Sequence, residues 1–133
     1  MKFLKLNTDL NFEVVEDSKK DALELAQSCV GGLIESVDGY FDLPAGVHGW
    51  VNEEGLLMNL DPVMIFTYGG GRVGWLVGNV VFTGINEEGW ITSLTEDQIE
   101  QTKQHIEAMT QMIMSDMRNG ESVDRPVLFK KLY

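Results

Sequence analysis

A glycine-rich segment in the middle of the chain has the residue types of an anion-binding loop. Three successive glycines stand between a tyrosine and an arginine. Consecutive backbone N–H groups of such a segment can form a concave nest, and the arginine would add charge and a bidentate fork. The segment lacks the lysine and the serine or threonine of a nucleotide-hydrolysing P-loop. It predicts either a site for a small anionic nucleotide or simply a hairpin tip. The candidate ligand-binding residues are Tyr68, Gly69, Gly70, Gly71, Arg72 and Asn79.

Two turns carry paired glutamates. The sequence Asn52-Glu53-Glu54-Gly55 recurs as Asn86-Glu87-Glu88-Gly89. Carboxylates are ligands for hard cations, so a metal-dependent enzyme is one interpretation. Adjacent glutamates usually point apart, however, and further oxygen donors do not follow at EF-hand spacing. The pattern is more typical of two hairpin loops whose glycine takes the left-handed conformation, and we predict no metal and no cofactor.

Residues suited to acid–base or nucleophilic catalysis are sparse. The two histidines, His48 and His105, are far apart in sequence, and the single cysteine is Cys29. A general base needs a nucleophile or an orienting carboxylate in reach, and none stands beside His48 in a recognised arrangement. One cysteine and two histidines do not have zinc-site spacing. We therefore predict no catalytic residue, a solvated His105 and a Cys29 that packs in the core.

The chain is strongly acidic, and the acidity is concentrated in its middle. Ten Lys and Arg oppose 21 Asp and Glu, which gives a net charge of −11. From Asp21 to Thr102 there are 13 acidic residues and a single basic one, Arg72. Such a surface repels phosphates, so direct nucleic acid binding is not expected. The acidity indicates either solubility alone or imitation of a polyanion.

Length and hydropathy favour one domain, 1–133, in the cytoplasm. No segment is apolar enough over a membrane-spanning length, and the N-terminus lacks the apolar region of a signal peptide. The lone cysteine agrees with a reducing compartment.

Two helices are expected. The first spans about residues 19–30, with Ser18 as its N-cap and two glycines after its end. Thr95 and Gln98 have the spacing of a capping box, which predicts a long second helix over about 96–118.

The second half of this long helix is rich in methionine. Methionine fills irregular cores and also forms adaptable contact surfaces, so the residues indicate either core packing or a partner contact. Because the apolar positions are wider than one stripe, we expect a homodimer or a host-protein contact here. The candidate contact residues are Met109, Met112, Met114 and Met117.

Short β-rich runs separated by turn residues fill the rest of the chain. The first two runs, near residues 2–6 and 11–15, predict a hairpin. Residues 56–60 are expected to return from the Asn52 turn, and Gly78-Asn79 to interrupt one strand. The basic end from Arg125 is expected to add an edge strand or to dock on the acidic middle. The fold class is α+β: a mixed, mainly antiparallel sheet with one short helix and a long C-terminal helix.

Four motifs carry a family resemblance. They are Val30-Gly31-Gly32-Leu33-Ile34-Glu35, Val51-Asn52-Glu53-Glu54-Gly55, Val77-Gly78-Asn79-Val80-Val81 and Ser93-Leu94-Thr95-Glu96-Asp97-Gln98-Ile99. By their order and spacing the chain resembles the family of domain of unknown function 3846 over roughly residues 13–104. The helix and tail at 105–133 look additional, and Val63-Met64 stands where family members often carry Asn-Arg. The resemblance implies a phage, plasmid or bacterial setting, without an established activity.

The leading functional expectation is a non-enzymatic accessory protein of a phage or mobile element. It would bind and inhibit or sequester a host factor in the host cytoplasm, for counter-defence or host takeover, with DNA mimicry as one form. One alternative is a sponge for a small anionic nucleotide at the glycine-rich loop. The other is a metal-dependent enzyme that uses the paired glutamates.

Overall fold

The computed structural model describes residues 1–37, 43–55, 57–68, 72–118 and 126–128, of which 62, 64–68, 72–75, 109–118 and 126–128 are described by their backbone alone. Within these residues the chain forms nine strands and two helices. In chain order they are β1 (Lys2–Leu6), β2 (Phe12–Glu16), α1 (Ala22–Val30), β3 (Ile34–Ser36), β4 (Val47–Asn52), β5 (Pro62–Tyr68), β6 (Arg72–Val77), β7 (Val80–Ile85), β8 (Ile91–Thr92), α2 (Glu96–Arg118) and β9 (Pro126–Leu128).

The larger sheet has six antiparallel strands in the order β2-β1-β7-β4-β3, with β8 also paired to β7. Strand β7 is its centre, because Phe82 lies opposite Leu4 on one side and Gly49 on the other. The predicted N-terminal hairpin is present: β1 pairs with β2, and Phe3 lies opposite Val15.

A smaller sheet contains β6, β5 and β9 in that order. Its first two strands form a hairpin in which Tyr68 is paired with Arg72. The third strand comes from the basic C-terminal segment, where Val127 lies opposite Ile65. The edge-strand interpretation of this segment is thus confirmed for residues 126–128.

Two apolar cores lie on the two faces of the larger sheet. Along β1, Phe3 packs against α1 while Leu4 and Leu6 face the second core, as the period-two alternation of a strand requires. The second core also receives side chains from the smaller sheet and from α2, among them Leu76 and Ile99. The larger sheet is therefore covered by α1 on one face and by the smaller sheet with α2 on the other.

Helix α1 begins later than predicted. Asp21 is the N-cap, and its carboxylate accepts the Glu24 backbone N–H at 2.8 Å. The reason is that Asp17 accepts the N–H groups of Lys19 and Lys20, which forms a separate turn before the helix. These bonds also hold the pKa of the Asp17 carboxyl below its usual range. The predicted start at residue 19 with Ser18 as cap was wrong.

The capping box of α2 is confirmed in both directions. The Gln98 backbone N–H donates to Thr95 Oγ1 at 3.1 Å, and the Thr95 N–H donates to Gln98 Oε1 at 3.0 Å. Helix α2 then runs from Glu96 to Arg118, as the sequence predicted. The α+β class, with a mainly antiparallel sheet, one short helix and a C-terminal helix, is confirmed.

Candidate functional site

Three of the four family-like motifs meet at the C-terminal end of α1. The last carbonyls of a helix have no partner within the helix and must find one elsewhere. Gly31 takes the left-handed conformation, φ 82°, and its N–H donates to the Gln27 carbonyl at 2.8 Å. The carboxamide of Asn79 donates to the Cys29 carbonyl, and that of Asn52 donates to the Val30 carbonyl, each at 3.1 Å. Side chains distant in sequence thus complete the cap.

Asn52 is buried and joins this helix end to the following turn. Its exposed fraction is 5%. Its Oδ1 accepts the Glu54 N–H at 2.8 Å, and the Glu53 N–H donates to the Leu33 carbonyl at 2.8 Å. A Cβ on Gly32 would lie 3.0 Å from Asn52 Nδ2, so a larger residue at position 32 would crowd the Asn52 carboxamide.

Asn79 has the same bridging role at the adjacent carbonyl of α1. Its Oδ1 accepts the Thr8 N–H at 3.1 Å, which links the helix end to the turn between β1 and β2. Gly78 before it has φ 77°, and its N–H donates to the Asp61 carbonyl at 2.7 Å. The prediction of one strand interrupted at Gly78-Asn79 was wrong, because the flanking strands β6 and β7 belong to different sheets. A role of Asn79 in ligand binding stays a prediction.

The segment after Asn52 is a compact turn and not the expected hairpin. The Met58 N–H donates to the Glu54 carbonyl at 3.0 Å, and the Leu60 N–H donates to the Gly55 carbonyl at 3.2 Å. Residues 57–59 lie in turns, so the return strand predicted for 56–60 is absent from the part of it that is described. Gly55 is outside the left-handed region, contrary to expectation; a Cβ there would lie 2.9 Å from Val77 Cγ2. Close packing, not positive φ, favours glycine here.

The second turn of the same sequence does form a hairpin. It joins β7 to β8, and Asn86 Oδ1 accepts the N–H groups of Glu88 at 3.0 Å and Trp90 at 2.9 Å. Gly89 has φ 86°, as predicted for a hairpin loop. The two turns therefore share the local asparagine bond to the second glutamate, and differ in that Asn52 also bonds a distant helix.

The outer side of the first turn presents apolar and acidic side chains together. These residues are exposed and lie either in the turn or in residues 33–35, which the Glu53 N–H bond to the Leu33 carbonyl links to the turn. We call them the motif surface: Leu33, Glu35, Glu53, Glu54, Leu57 and Met58. Leu57 is 87% exposed, Leu33 60% and Met58 50%.

The glycine-rich segment is framed by paired strand ends. Tyr68 of β5 lies opposite Arg72 of β6, as in a hairpin. Gly69, Gly70 and Gly71 lie outside the described residues, and the side chains of Tyr68 and Arg72 are not described. Anion binding at this hairpin therefore stays a prediction.

The histidines and the cysteine are placed apart. His48 stacks on Trp50 with ring centroids 6.2 Å apart, and Trp50 Nε1 donates to Thr83 Oγ1 at 2.9 Å. His105 is half-buried, and its Nε2 is shielded from solvent without a hydrogen-bond partner in the described structure. The prediction that His105 is solvated was therefore wrong. Cys29 is buried as predicted, and burial raises the pKa of its thiol.

Metal ligands do not cluster in the described part of the chain. Among those residues no group of three or more His, Cys, Asp and Glu side chains is placed to hold a metal ion. Neither helix, over the described residues, combines the length and the apolar character needed to cross a membrane.

The methionines of α2 lie beyond the last residue whose side chain is described, so their partner contact stays a prediction. They are Met109, Met112, Met114 and Met117.

Comparison with known proteins places the chain in a family. No curated protein and no solved structure matches it. A family model described as Domain of unknown function (DUF3846) matches residues 1–107. The match includes β1, which the motif-based resemblance left out, and it ends before the four methionines of α2. Because it spans most of the 133 residues, the chain belongs to the DUF3846 family.

Proposed function

We propose that this protein is a non-enzymatic accessory protein of a phage or other mobile element. It acts in the host cytoplasm, where it binds a host protein and thereby inhibits or sequesters it. The observation that carries the proposal is the motif surface, where exposed apolar and acidic side chains stand on a turn that is held rigidly from behind.

The asparagine and glycine residues of the motifs support a scaffold role. The carboxamides of Asn52 and Asn79 are engaged with helix carbonyls and turn N–H groups. Gly55 is packed against Val77. The exposed side chains of these motifs include Leu33, Glu35, Glu53 and Glu54. A rigid support with an outward surface suits binding, because little conformational freedom is lost on association.

The charge of the surface favours a cationic protein partner. The sequence has no Lys or Arg from Asp21 to Gly71, so the acids of the motif surface have no basic neighbour along the chain. In the described part of the structure, the ion pairs join Lys2 with Glu96, Lys5 with Glu13 and Lys103 with Glu100, all outside this surface. Unpaired carboxylates steer association with a positive partner and repel phosphates.

The test is capture from a lysate of the bacterial host, with a salt series and a matched charge variant. The immobilised protein is expected to enrich one host protein, and capture should fall steeply between low and high salt. Replacing Glu53 and Glu54 by glutamine should reduce capture about tenfold or more. The same double change at Glu87 and Glu88 is the control, because it removes equal charge from a turn of the same sequence.

Two results would contradict the proposal. One is a lysate from which no protein is enriched over a bare matrix. The other is a captured protein whose binding does not change with salt and responds equally to both double variants. In that second case the acidic motif surface would have no special part in binding.

A further inference from the structure

Charge alone does not explain why large apolar side chains stand on the motif surface. Large apolar side chains exposed together on a protein commonly mark an interaction site, whereas single ones are normal. In the described structure the exposed large apolar side chains are Met1, Val14, Leu23, Leu33, Leu57, Met58 and Trp90. Three of these seven lie on the motif surface. Their clustering around one turn points to a contact with an apolar component.

Leu57 is held in its exposed position by the bonds of the turn. Its neighbour Met58 donates its N–H to Glu54, and Met58 Sδ lies 3.6 Å from Asn52 Nδ2. Asn59 takes the left-handed conformation, φ 54°, which asparagine tolerates better than most residues. The turn is thereby fixed before any partner arrives, so the entropy cost of placing Leu57 in a contact is small.

Leu33 lies beside this turn across the sheet edge. The Glu53 N–H donates to the Leu33 carbonyl at 2.8 Å, which places the two residues side by side. The exposed apolar residues Leu33, Leu57 and Met58 are therefore close to the exposed acids Glu53 and Glu54 either along the chain or across this bond. An apolar centre with a charged rim is the usual arrangement of a protein–protein contact.

We infer that the motif surface docks a segment of a partner protein whose apolar side chains are flanked by lysine or arginine. The inference rests on the proposed function and names the chemistry of the partner. The acids favour cationic flanks, and they disfavour an anionic membrane or nucleic acid as the occupant. The described part of the C-terminal segment, residues 126–128, pairs with β5.

The test uses a defined peptide and the full-length protein. The probe is an amphipathic helical peptide of about five turns, built from leucine and lysine. A control peptide has the same lysines and glutamine at every leucine position. Amide chemical shifts of the labelled protein are followed during titration, at physiological salt. We expect changes confined to residues 32–35 and 52–60 with the first peptide, and none of this pattern with the second.

Matched variants identify the apolar contact. Leu57→Ser should weaken binding of the leucine–lysine peptide about tenfold or more, because the contact loses a buried leucine. Leu23→Ser is the control, since Leu23 is 50% exposed near the other end of α1. Both changes are at exposed positions, so both proteins should keep the wild-type Tm. Shifts spread over the acidic surface, equal binding of the glutamine peptide, or an unaltered affinity of Leu57→Ser would each overturn the inference.

The host partner from the lysate separates this inference from the proposed function. If Leu57→Ser captures that partner as well as the wild type does, the protein still binds a host protein, but the inferred apolar contact of Leu57 is refuted. If the peptide binds at the motif surface while no host protein is captured, the apolar contact is supported and the proposed function is refuted.

Discussion

Asn52 and Asn79 cap the same helix from two different turns, because their carboxamides donate to the adjacent carbonyls of Val30 and Cys29 at 3.1 Å each. A nine-residue helix is too short to be stable alone, so α1 depends on such contacts and on its packing against Phe3 and Val81. The first motif contributes the end of α1, the second contributes Asn52 and the third contributes Asn79. The junction in turn fixes the turn that carries Leu57.

Asn52→Ala should destabilise the fold by about 1–3 kcal/mol. The change leaves the buried Val30 carbonyl without its donor, and an unsatisfied buried polar group carries that cost. Urea unfolding, followed by circular dichroism, measures the loss. Asn86→Ala is the matched control, since it removes the same local turn bond at an exposed site.

The asparagine control should cost clearly less than the Asn52 change. Water can replace the bonds of the Asn86 turn, whereas it cannot easily reach the carbonyl beneath Asn52. Equal losses for the two variants would mean that the bond to α1 contributes nothing beyond the local turn.

Gly55→Ala should also destabilise the protein, and Val77→Ala should rescue it. The added Cβ would lie 2.9 Å from Val77 Cγ2, and overpacking of this kind costs about 1–3 kcal/mol. Shortening Val77 removes the clash, so the double variant should be more stable than additive effects allow. Thermal and urea unfolding of the four proteins of the cycle measure the coupling.

Gly89→Ala provides the contrasting case. Apart from its chain neighbours, no atom of the described residues lies within 4 Å of a Cβ at Gly89, but its φ of 86° is unfavourable for alanine by about 1 kcal/mol. Val77→Ala should not alter that cost. If Val77→Ala fails to rescue Gly55→Ala, the close approach is not the reason for glycine at this position.

The elements that the sequence predicted well are those set by neighbouring residues. The reciprocal bonds of Thr95 and Gln98 and the left-handed Gly31 depend on a few residues each, so their sequence signals are sufficient. The start of α1 was misplaced because Ser18 and Asp21 are both residue types that cap helices, and the sequence does not say which of them begins the helix.

The junction at the end of α1 could not be predicted in this way. Asn52-Glu53-Glu54-Gly55 and Asn86-Glu87-Glu88-Gly89 are the same locally, yet only the second forms a hairpin. The difference comes from tertiary contacts of Asn52 and Gly55 with α1 and Val77. Division of the strands into two sheets is likewise a long-range outcome. The only sign of this junction in the sequence was that Asn52 and Asn79 each occur next to or near a glycine in a family motif, which could have indicated that both contact the same helix end.

The Cys29 thiol should react slowly in the native protein and faster when Asn79 is removed. Burial raises its thiol pKa, so less reactive thiolate is present at a given pH than in a free cysteine. Reaction with a disulfide reagent at pH 8 then requires opening of the end of α1. Asn79→Ala removes the donor to the Cys29 carbonyl and should speed labelling about 5- to 30-fold, the factor for one to two kcal/mol.

Asn86→Ala serves as the control for labelling because it lies in the distant β7–β8 turn. Its rate should equal that of the wild type. The labelling rate should also continue to rise with pH beyond the range usual for a cysteine, since the thiol pKa is raised. A fast wild-type reaction, or equal acceleration by both variants, would contradict the role assigned to Asn79.

The Lys2–Glu96 ion pair should broaden the pH range over which the fold is stable. It joins β1 to the first turn of α2, beside the Leu94 N–H that donates to the Lys2 carbonyl at 2.8 Å. The hydrogen bond and charge of Lys2 lower the pKa of Glu96, and those of Glu96 raise the pKa of Lys2. Because the pKa of Glu96 is lowered in the folded protein, its carboxylate stabilises the fold at pH values above the unfolded-state pKa. This stabilisation is lost as the pH falls through the folded-state pKa. Because the pKa of Lys2 is raised in the folded protein, its ammonium group stabilises the fold at pH values below the unfolded-state pKa. This stabilisation is lost as the pH rises through the folded-state pKa.

Glu96→Gln should therefore cause a small drop in Tm on the plateau between about pH 5 and 10, and no added drop in strong acid or base. Asp97→Asn is the control, because Asp97 is also an acid of the first turn of α2 and shares the favourable interaction with the helix N-terminus. The excess effect of Glu96→Gln should disappear when Lys2 is replaced by methionine, and it should shrink in high salt because the pair is exposed to solvent. A Tm difference between the two variants that persists in strong acid, or that survives loss of Lys2, would show that the helix terminus and not the ion pair is responsible.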